Sequence, residues 1–276
     1  MLKLKPSYGA EAVKHLLILL VLLAAFFPLY VMLNISLKDN DQFALHPMGI
    51  TFPLRFENWE VAWGLVVGYA ANSLGVSLAA VASTLVLALS SAYVFARYRF
   101  PGKELLWFGL LGILFMPGIM NLIPLFILMR DLNLLNSLFG LTVLYTAGGQ
   151  VFCVFVLRNF LEDLPEDLFE AAEVDGAGPL KQLLYVVVPL TGSILSTLAI
   201  LRFIASWNDF IEPMIFLSDE YKQMLPVGLM RLDGEQVKHW GPMMAGFSLA
   251  AIPLVMIFIF TMRLFVKGLT GGALKG

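Results

Sequence analysis

Six apolar stretches, roughly residues 16–36, 67–95, 105–129, 138–158, 190–217 and 243–266, decide which solvent this chain is built for. Each is long enough to cross a bilayer, for which about 20 mostly apolar residues suffice. No water in the hydrocarbon satisfies backbone N–H and C=O groups. Runs this long and continuous therefore predict helices, since barrel strands are shorter and alternate in polarity. A composition of 59% hydrophobic and 14% charged residues, with a mean hydropathy of +0.82, excludes the soluble globular class. The expected fold is all-α: one polytopic membrane domain over residues 1–276 with six transmembrane helices. Lys3, Lys5 and Lys14 ahead of "LLILLVLLAAFF" look like a secretory signal. The apolar run continues through "PLYVMLNISL" without an A-x-A site, so the first stretch is expected to remain as a span.

Charge sets the orientation. Lys3, Lys5, Lys14, Arg97, Arg99, Lys103, Lys181, Lys267 and Lys275, with Arg158 and Arg263 at span boundaries, put eleven basic residues on one side. Lys38, Arg55, Arg130, Lys222, Arg231 and Lys238 put six on the other, and Arg202 falls within a span. The positive-inside rule then places both termini and the 159–189 segment in the cytoplasm. The two long loops, 37–66 and 218–242, are expected outside. The first reads as an interfacial linker with a short aromatic helix, and the second is longer than a minimal hairpin requires.

Within the 159–189 segment, "DLPEDLFEAAEVDGAG" predicts a short cytoplasmic helix, with Pro165 in its first turn, Glu166 and Asp167 at its positive end and Gly176 as a left-handed stop. Ala171 and Ala172 leave a shallow patch where another protein's surface can approach the backbone, ringed by Glu170, Glu173 and Asp175. Local physics leaves two readings open, a docking surface and an ordinary solvated loop helix.

The chain contains no catalytic machinery. No G-x-x-x-x-G-K-[ST] phosphate loop occurs, so any ATP must be hydrolysed elsewhere. His15, His46 and His239 are scattered and Cys153 is the single cysteine, so neither a metal site nor a nucleophile with its base is expected. Polar residues inside the spans are the remaining candidates. Ser73, Ser77, Thr84 and Ser91 share one helix face, as a close-packed small-residue seam or, on the sharper reading, a wall facing a polyol; the seam is favoured. Pro117 and Pro124 flank Asn121 and predict a kinked third span. Arg202, Asp209 and Glu212 are ionisable residues in the fifth stretch. Arg202 and Asp209 stand about 10 Å apart along a helix, too far for an ion pair without a group between them.

The residues Glu170, Ala171 and Ala172, then Asp175-Gly176, then "YVVVPL" ending at Pro189, resemble the EAA loop of permease subunits in binding-protein-dependent ABC importers. Val186 and Val188 fill the two aliphatic places, and Ser193 stands where a second proline is common. "AYVFARYRFPGK", "MPGIMNLIPLF", "SWNDFIEPMIFL", "LPVGL" and "VKGLTGGALKG" resemble the maltose and multiple-sugar branch. The resemblance implies a coupling helix, through Glu170, Ala171, Ala172, Asp175 and Gly176, docked on a dimer of ATPase subunits that hold ATP and magnesium. It implies that the tail Gly271, Gly272, Ala273, Lys275 and Gly276 also touches the ATPase. Trp207, Asn208 and Asp209 become a structural and pathway element beside the candidates Ser73, Ser77, Thr84 and Asn121. Leu232, Asp233, Gly234, Glu235 and Gln236 become a contact for an extracytoplasmic solute-binding protein. The expected protein is a non-enzymatic subunit of a sugar or oligosaccharide importer in a bacterial or archaeal inner membrane, paired with a second homologous permease. No cofactor is bound directly and nucleic acid is not a partner. Glycerol phosphate or another polyol is the alternative substrate, and a proton-coupled secondary transporter the alternative mechanism.

Overall fold

A computed structural model describes residues 8–116, 118–232 and 239–273. All regular structure among them is helical: α1 (Tyr8–Ser36), α2 (Asn40–Leu45), α3 (Glu57–Arg97), α4 (Lys103–Leu114), α5 (Leu122–Asp131), α6 (Leu138–Glu162), α7 (Asp167–Val174), α8 (Pro179–Gln182), α9 (Val188–Leu190), α10 (Gly192–Trp207), α11 (Ile211–Phe216), α12 (Leu225–Leu232) and α13 (Trp240–Ala273). Short 3₁₀ turns occupy Gly118–Asn121 and Glu220–Lys222, and a π-helical turn occupies Leu183–Val187.

Four helical segments are long and apolar enough to cross a membrane: Glu11–Ser36, Glu57–Arg97, Leu138–Glu162 and Trp240–Ile259. Two further apolar segments are bent pairs, Lys103–Leu114 with Gly118–Asp131 at 99° and Pro179–Leu190 with Gly192–Trp207 at 77°; the number of candidate spans is six if each pair is one crossing. The expected third and fifth stretches are thus broken rather than continuous. Pro117, one of the two prolines expected to kink the third, lies outside the described residues. In the fifth, Pro189 removes an N–H and its ring crowds the carbonyl four residues back, and the ladder widens to π just before it. At the bend the buried Thr191 sends both its backbone N–H and its hydroxyl to the Val187 carbonyl, at 2.9 and 2.8 Å.

The chain divides into two compact units. One takes the N-terminal region to Val67 together with Leu229–Pro253. Its α1 is apolar all round, and none of the residues of its most apolar window is buried, as suits a helix solvated by lipid or by another subunit. The 37–66 segment, expected to be a linker, is folded. Asp39 caps α2 in a capping box with Gln42, and pairs with Arg55 at 2.9 Å. The Gln42 N–H, and after it Arg55, hold the Asp39 carboxyl below the ordinary range. Buried Asn58 donates to the Ser36 and Lys38 carbonyls at 2.9 and 2.8 Å. A side chain at Gly241 would collide with Asn58 and with the Lys38 carbonyl, which fixes a glycine there. The aromatic helix expected after the prolines is the first turn of α3, where Trp59 Nε1 donates to Ser36 Oγ.

The other unit takes Gly68–Gly228 and the stretch from Leu254 onward. Its centre is α6, against which α4, α10 and α11 pack. One core cluster joins Ala88, Leu89 and Ala92 of α3 to Trp107, Cys153, Val154, Leu157 and Leu198; Phe169 of α7 and Val187 belong to it. A second gathers Val76, Ala80, Met129, Leu141, Leu144, Tyr145, Phe216, Leu217 and Met224. Half-buried Arg158 lies beside the first, its guanidinium 3.8 Å from the Trp107 ring centroid, and pairs with Glu162 at 2.8 Å, so its charge is compensated at the end of an apolar helix.

Candidate coupling surface and polar cavity

The coupling candidates lie together on α7 and its C-terminal turn. The helix ends as its sequence requires. Gly176 adopts φ +74°, its N–H reaches the Glu173 carbonyl at 2.9 Å, and the Ala177 N–H reaches the Ala172 carbonyl at 2.8 Å. This is the Schellman arrangement, which satisfies two orphan carbonyls and turns the chain sharply. Phe169 is the inward anchor, 4% exposed, while Glu170, Ala171, Asp175 and Gly176 are exposed and Ala172 is half-buried. Beside them Val174 is 87% exposed, Leu180 67% and Tyr185 76%, an apolar rim around an acidic, small-residue helix.

The candidate pathway residues separate into different environments. Ser73, Ser77 and Thr84 are fully buried within their unit. Ser73 accepts the Leu225 N–H at 2.7 Å and so caps the start of α12. The Ser77 and Thr84 hydroxyls have no hydrogen-bond partner among the described residues. Ser91 is half-buried, and Asn121 is exposed. Trp207 is buried and stacks on Phe203, with centroids 5.5 Å apart.

Asn208 and Asp209 occupy a break in the apolar stretch. Helix α10 ends at Trp207 and α11 begins at Ile211. Non-helical backbone is tolerated at membrane depth only where protein or a water-filled cavity satisfies it. Here a cavity of about 290 Å³ is lined by Tyr145 and Gly148 of α6, Arg202 and Ser206 of α10, and Asn208, Asp209 and Glu212. Asp209 Oδ1 accepts the Ile211 N–H at 3.1 Å and its Oδ2 accepts the Tyr145 hydroxyl at 2.8 Å. Arg202 Nη2 donates to the Tyr145 carbonyl at 3.2 Å. Tyr145 is thus the intervening group that the Arg202–Asp209 separation required, and nothing in the local sequence singles it out. Glu212, another residue of the lining, has a buried Oε2 with no hydrogen-bond partner among the described residues.

Asp233, Gly234, Glu235, Gln236, Lys275 and Gly276 are outside the described residues, and Leu232, Gly271, Gly272 and Ala273 are described only as helix. Among the described residues no group of His, Cys, Asp and Glu is arranged to hold a metal.

A helical, multi-pass membrane protein with an exposed EAA helix and a polar cavity at a broken helix belongs among the transport permeases. Residues 60–271 match the family described as "Binding-protein-dependent transport system inner membrane component". The chain belongs to that family: it is an inner-membrane permease component of an ABC importer, a non-catalytic subunit. It is 31% identical to the maltose/maltodextrin transport system permease protein MalG of Escherichia coli K12, covering 100% of this chain and 99% of that one. It is 29% identical to the diacetylchitobiose uptake system permease protein NgcG of Streptomyces coelicolor, covering 96% and 89%. A solved bacterial ABC transporter involved in import of the acidic polysaccharide alginate contains a chain of the same fold, with TM-score 0.82, 22% identity, and 94% and 99% coverage.

Proposed function

We propose that this chain is a permease subunit of an ATP-driven importer of a sugar or oligosaccharide. It encloses the pathway with a second, homologous permease, receives substrate from an extracytoplasmic binding protein, and is driven by an ATPase dimer docked on the EAA segment. The observation that carries this reading is the near-full-length match to permeases named for maltose/maltodextrin and diacetylchitobiose uptake. Two features of the geometry support it. The α7 surface leaves Glu170, Ala171 and Asp175 free for a partner while Phe169 fixes the helix to the unit. The cavity offers carboxylate, amide and guanidinium groups, the types that replace water around hydroxyls. ATP binding and hydrolysis on the partner switch the paired permeases between outward- and inward-facing states, and the substrate moves because those states bind it differently. Both termini and the EAA segment are assigned to the cytoplasm, where the ATPase and its magnesium nucleotide are.

The test is uptake by vesicles holding the complete complex, with binding protein and labelled oligosaccharides on the outside. Uptake of a neutral oligosaccharide that requires ATP and survives a protonophore is expected. Uptake that needs a proton gradient and no ATP would transfer the role to Asp209 and Glu212 as a proton relay. ATP-driven uptake of glycerol phosphate alone would retain the importer and replace the substrate.

A further inference from the structure

The last turns of α3 grip both ends of the coupling segment. Tyr93 and Arg97, four residues apart and so on one helix face, both engage Phe169. The Arg97 guanidinium lies 3.5 Å from the Phe169 ring centroid, and the Tyr93 ring stacks near it at 6.5 Å and 22°. The Tyr93 hydroxyl also donates to Gln182 Oε1 at 2.8 Å. Gln182 Nε2 in turn donates to the Ala177 carbonyl at 3.1 Å, immediately after the Gly176 turn. Tyr93 is 4% exposed, Phe169 4% and Gln182 5%, so water does not compete for the Tyr93–Gln182 bond, while Arg97 is half-buried over the ring. Movement of α7 therefore cannot leave α3 behind without breaking a cation–π contact and a buried hydrogen bond.

The same helix holds another part of the chain further back along its length, at Asn72 and Ser73. Asn72 Nδ2 donates to the Tyr221 and Gln223 carbonyls at 2.8 and 3.0 Å. Ser73 Oγ takes the Leu225 N–H. Between Ser73 and Tyr93 the helix runs unbroken and without proline for twenty residues, about 30 Å, which is the hydrocarbon thickness of a bilayer. A helix free of proline and of π-bulges bends gently rather than kinking.

We propose that α3 is the strut of a coupling linkage, with Tyr93, Arg97 and Gln182 as positioning residues that join it to the EAA helix and Asn72 and Ser73 as its grip on residues 221–225. Displacement of α7 by the ATPase is delivered to the opposite face of the membrane, and occupancy at that face is reported back along the same helix. Linkage makes the effect reciprocal. This rests on the coupled-importer reading, and the experiment separates the two.

The experiment uses the reconstituted complex with its binding protein and compares the unmodified chain with the double variant Tyr93→Phe/Arg97→Gln and the single variants Asn72→Leu, Arg97→Gln and Arg97→Lys. Three quantities are measured: copurification of the ATPase, basal hydrolysis, and stimulation by substrate-loaded binding protein. The first two are expected to stay within about twofold in all variants, while stimulation falls by about fivefold or more in the first two, the lower end of ordinary coupling strengths. Arg97→Lys, which retains a cation over Phe169, is expected to keep more stimulation than Arg97→Gln. Undiminished stimulation in the assembled double variant and in Asn72→Leu would overturn the strut. So would loss of ATPase copurification in the double variant, because the contacts would then only shape the docking surface. Failure of the unmodified chain to bind any ATPase would reject the importer reading itself, and the linkage with it.

Discussion

At the scale of single residues, the polar cavity depends on a glycine that has no chemistry of its own. A Cβ on Gly149 would stand 2.8 Å from both Arg202 Nε and Thr84 Cγ2, whereas a Cβ on neighbouring Gly148, which lines the cavity, meets nothing within 4 Å. Only at residue 149 does the absence of a side chain let Arg202 pass α6 and reach the Tyr145 carbonyl. Gly149→Ala is therefore expected to destabilise the unit by about 1–3 kcal/mol, the usual range for overpacking. Gly148→Ala is expected to be neutral or slightly stabilising, since it gains helix propensity without a clash. Thermal unfolding of the purified permease in the same detergent distinguishes them; equal midpoints would mean that Arg202 moves aside freely. The sequence made the charges of this site visible, because Arg202, Asp209 and Glu212 are conspicuous in an apolar run. It did not make Tyr145 visible, because a tyrosine in a lipid-facing pattern is indistinguishable from an interfacial aromatic until its hydroxyl has a partner.

At the scale of elements, what could be read was set by how local the determining chemistry is. The end of α7 was legible because a glycine that must adopt positive φ announces itself, and Gly176 does so at +74°. The break between α10 and α11 was hidden inside a stretch whose hydropathy is continuous. Its signals were Asn208 and Asp209, residues that compete for backbone hydrogen bonds and favour helix ends. The fold of residues 37–66 was hidden as well, since Asn58, Gly241 and the Lys38 carbonyl meet across nearly two hundred residues of sequence. The α7 turn yields a sharp prediction. Gly176→Ala forces a left-handed alanine and is expected to cost about 1 kcal/mol, re-aiming α7 while leaving the membrane-embedded helices intact. Ala172→Trp should leave the turn intact and block approach to the backbone. Both variants are expected to insert normally and to lose at least tenfold in ATPase association measured by copurification. Normal association in Ala172→Trp would remove α7 from the docking surface.

At the scale of the whole molecule, topology turns on whether each of the two bent pairs crosses the membrane, and two labels test it. Take the N-terminus as cytoplasmic, the side proposed for it from the positive-inside rule. If both pairs cross, α7 is inside and the 220–222 turn is outside. If the first pair only dips into the bilayer, every later segment inverts: α7 faces outward, where no ATPase exists, and the turn faces inward. If only the second pair dips, both sites are inside; if both dip, both are outside. Val174 and Tyr221 report on these four cases, because they are 87% and 89% exposed and flank the second pair. Cys153 is buried in α6, so the native thiol contributes little background. Val174→Cys is expected to react with an impermeant maleimide only after the membrane is opened, and Tyr221→Cys in intact cells. Any other combination names the pair that fails to cross. A Val174→Cys variant that labels from outside would also end the coupling role of Glu170, Ala171 and Ala172, since a helix cannot dock on a cytoplasmic motor from the other side of the bilayer.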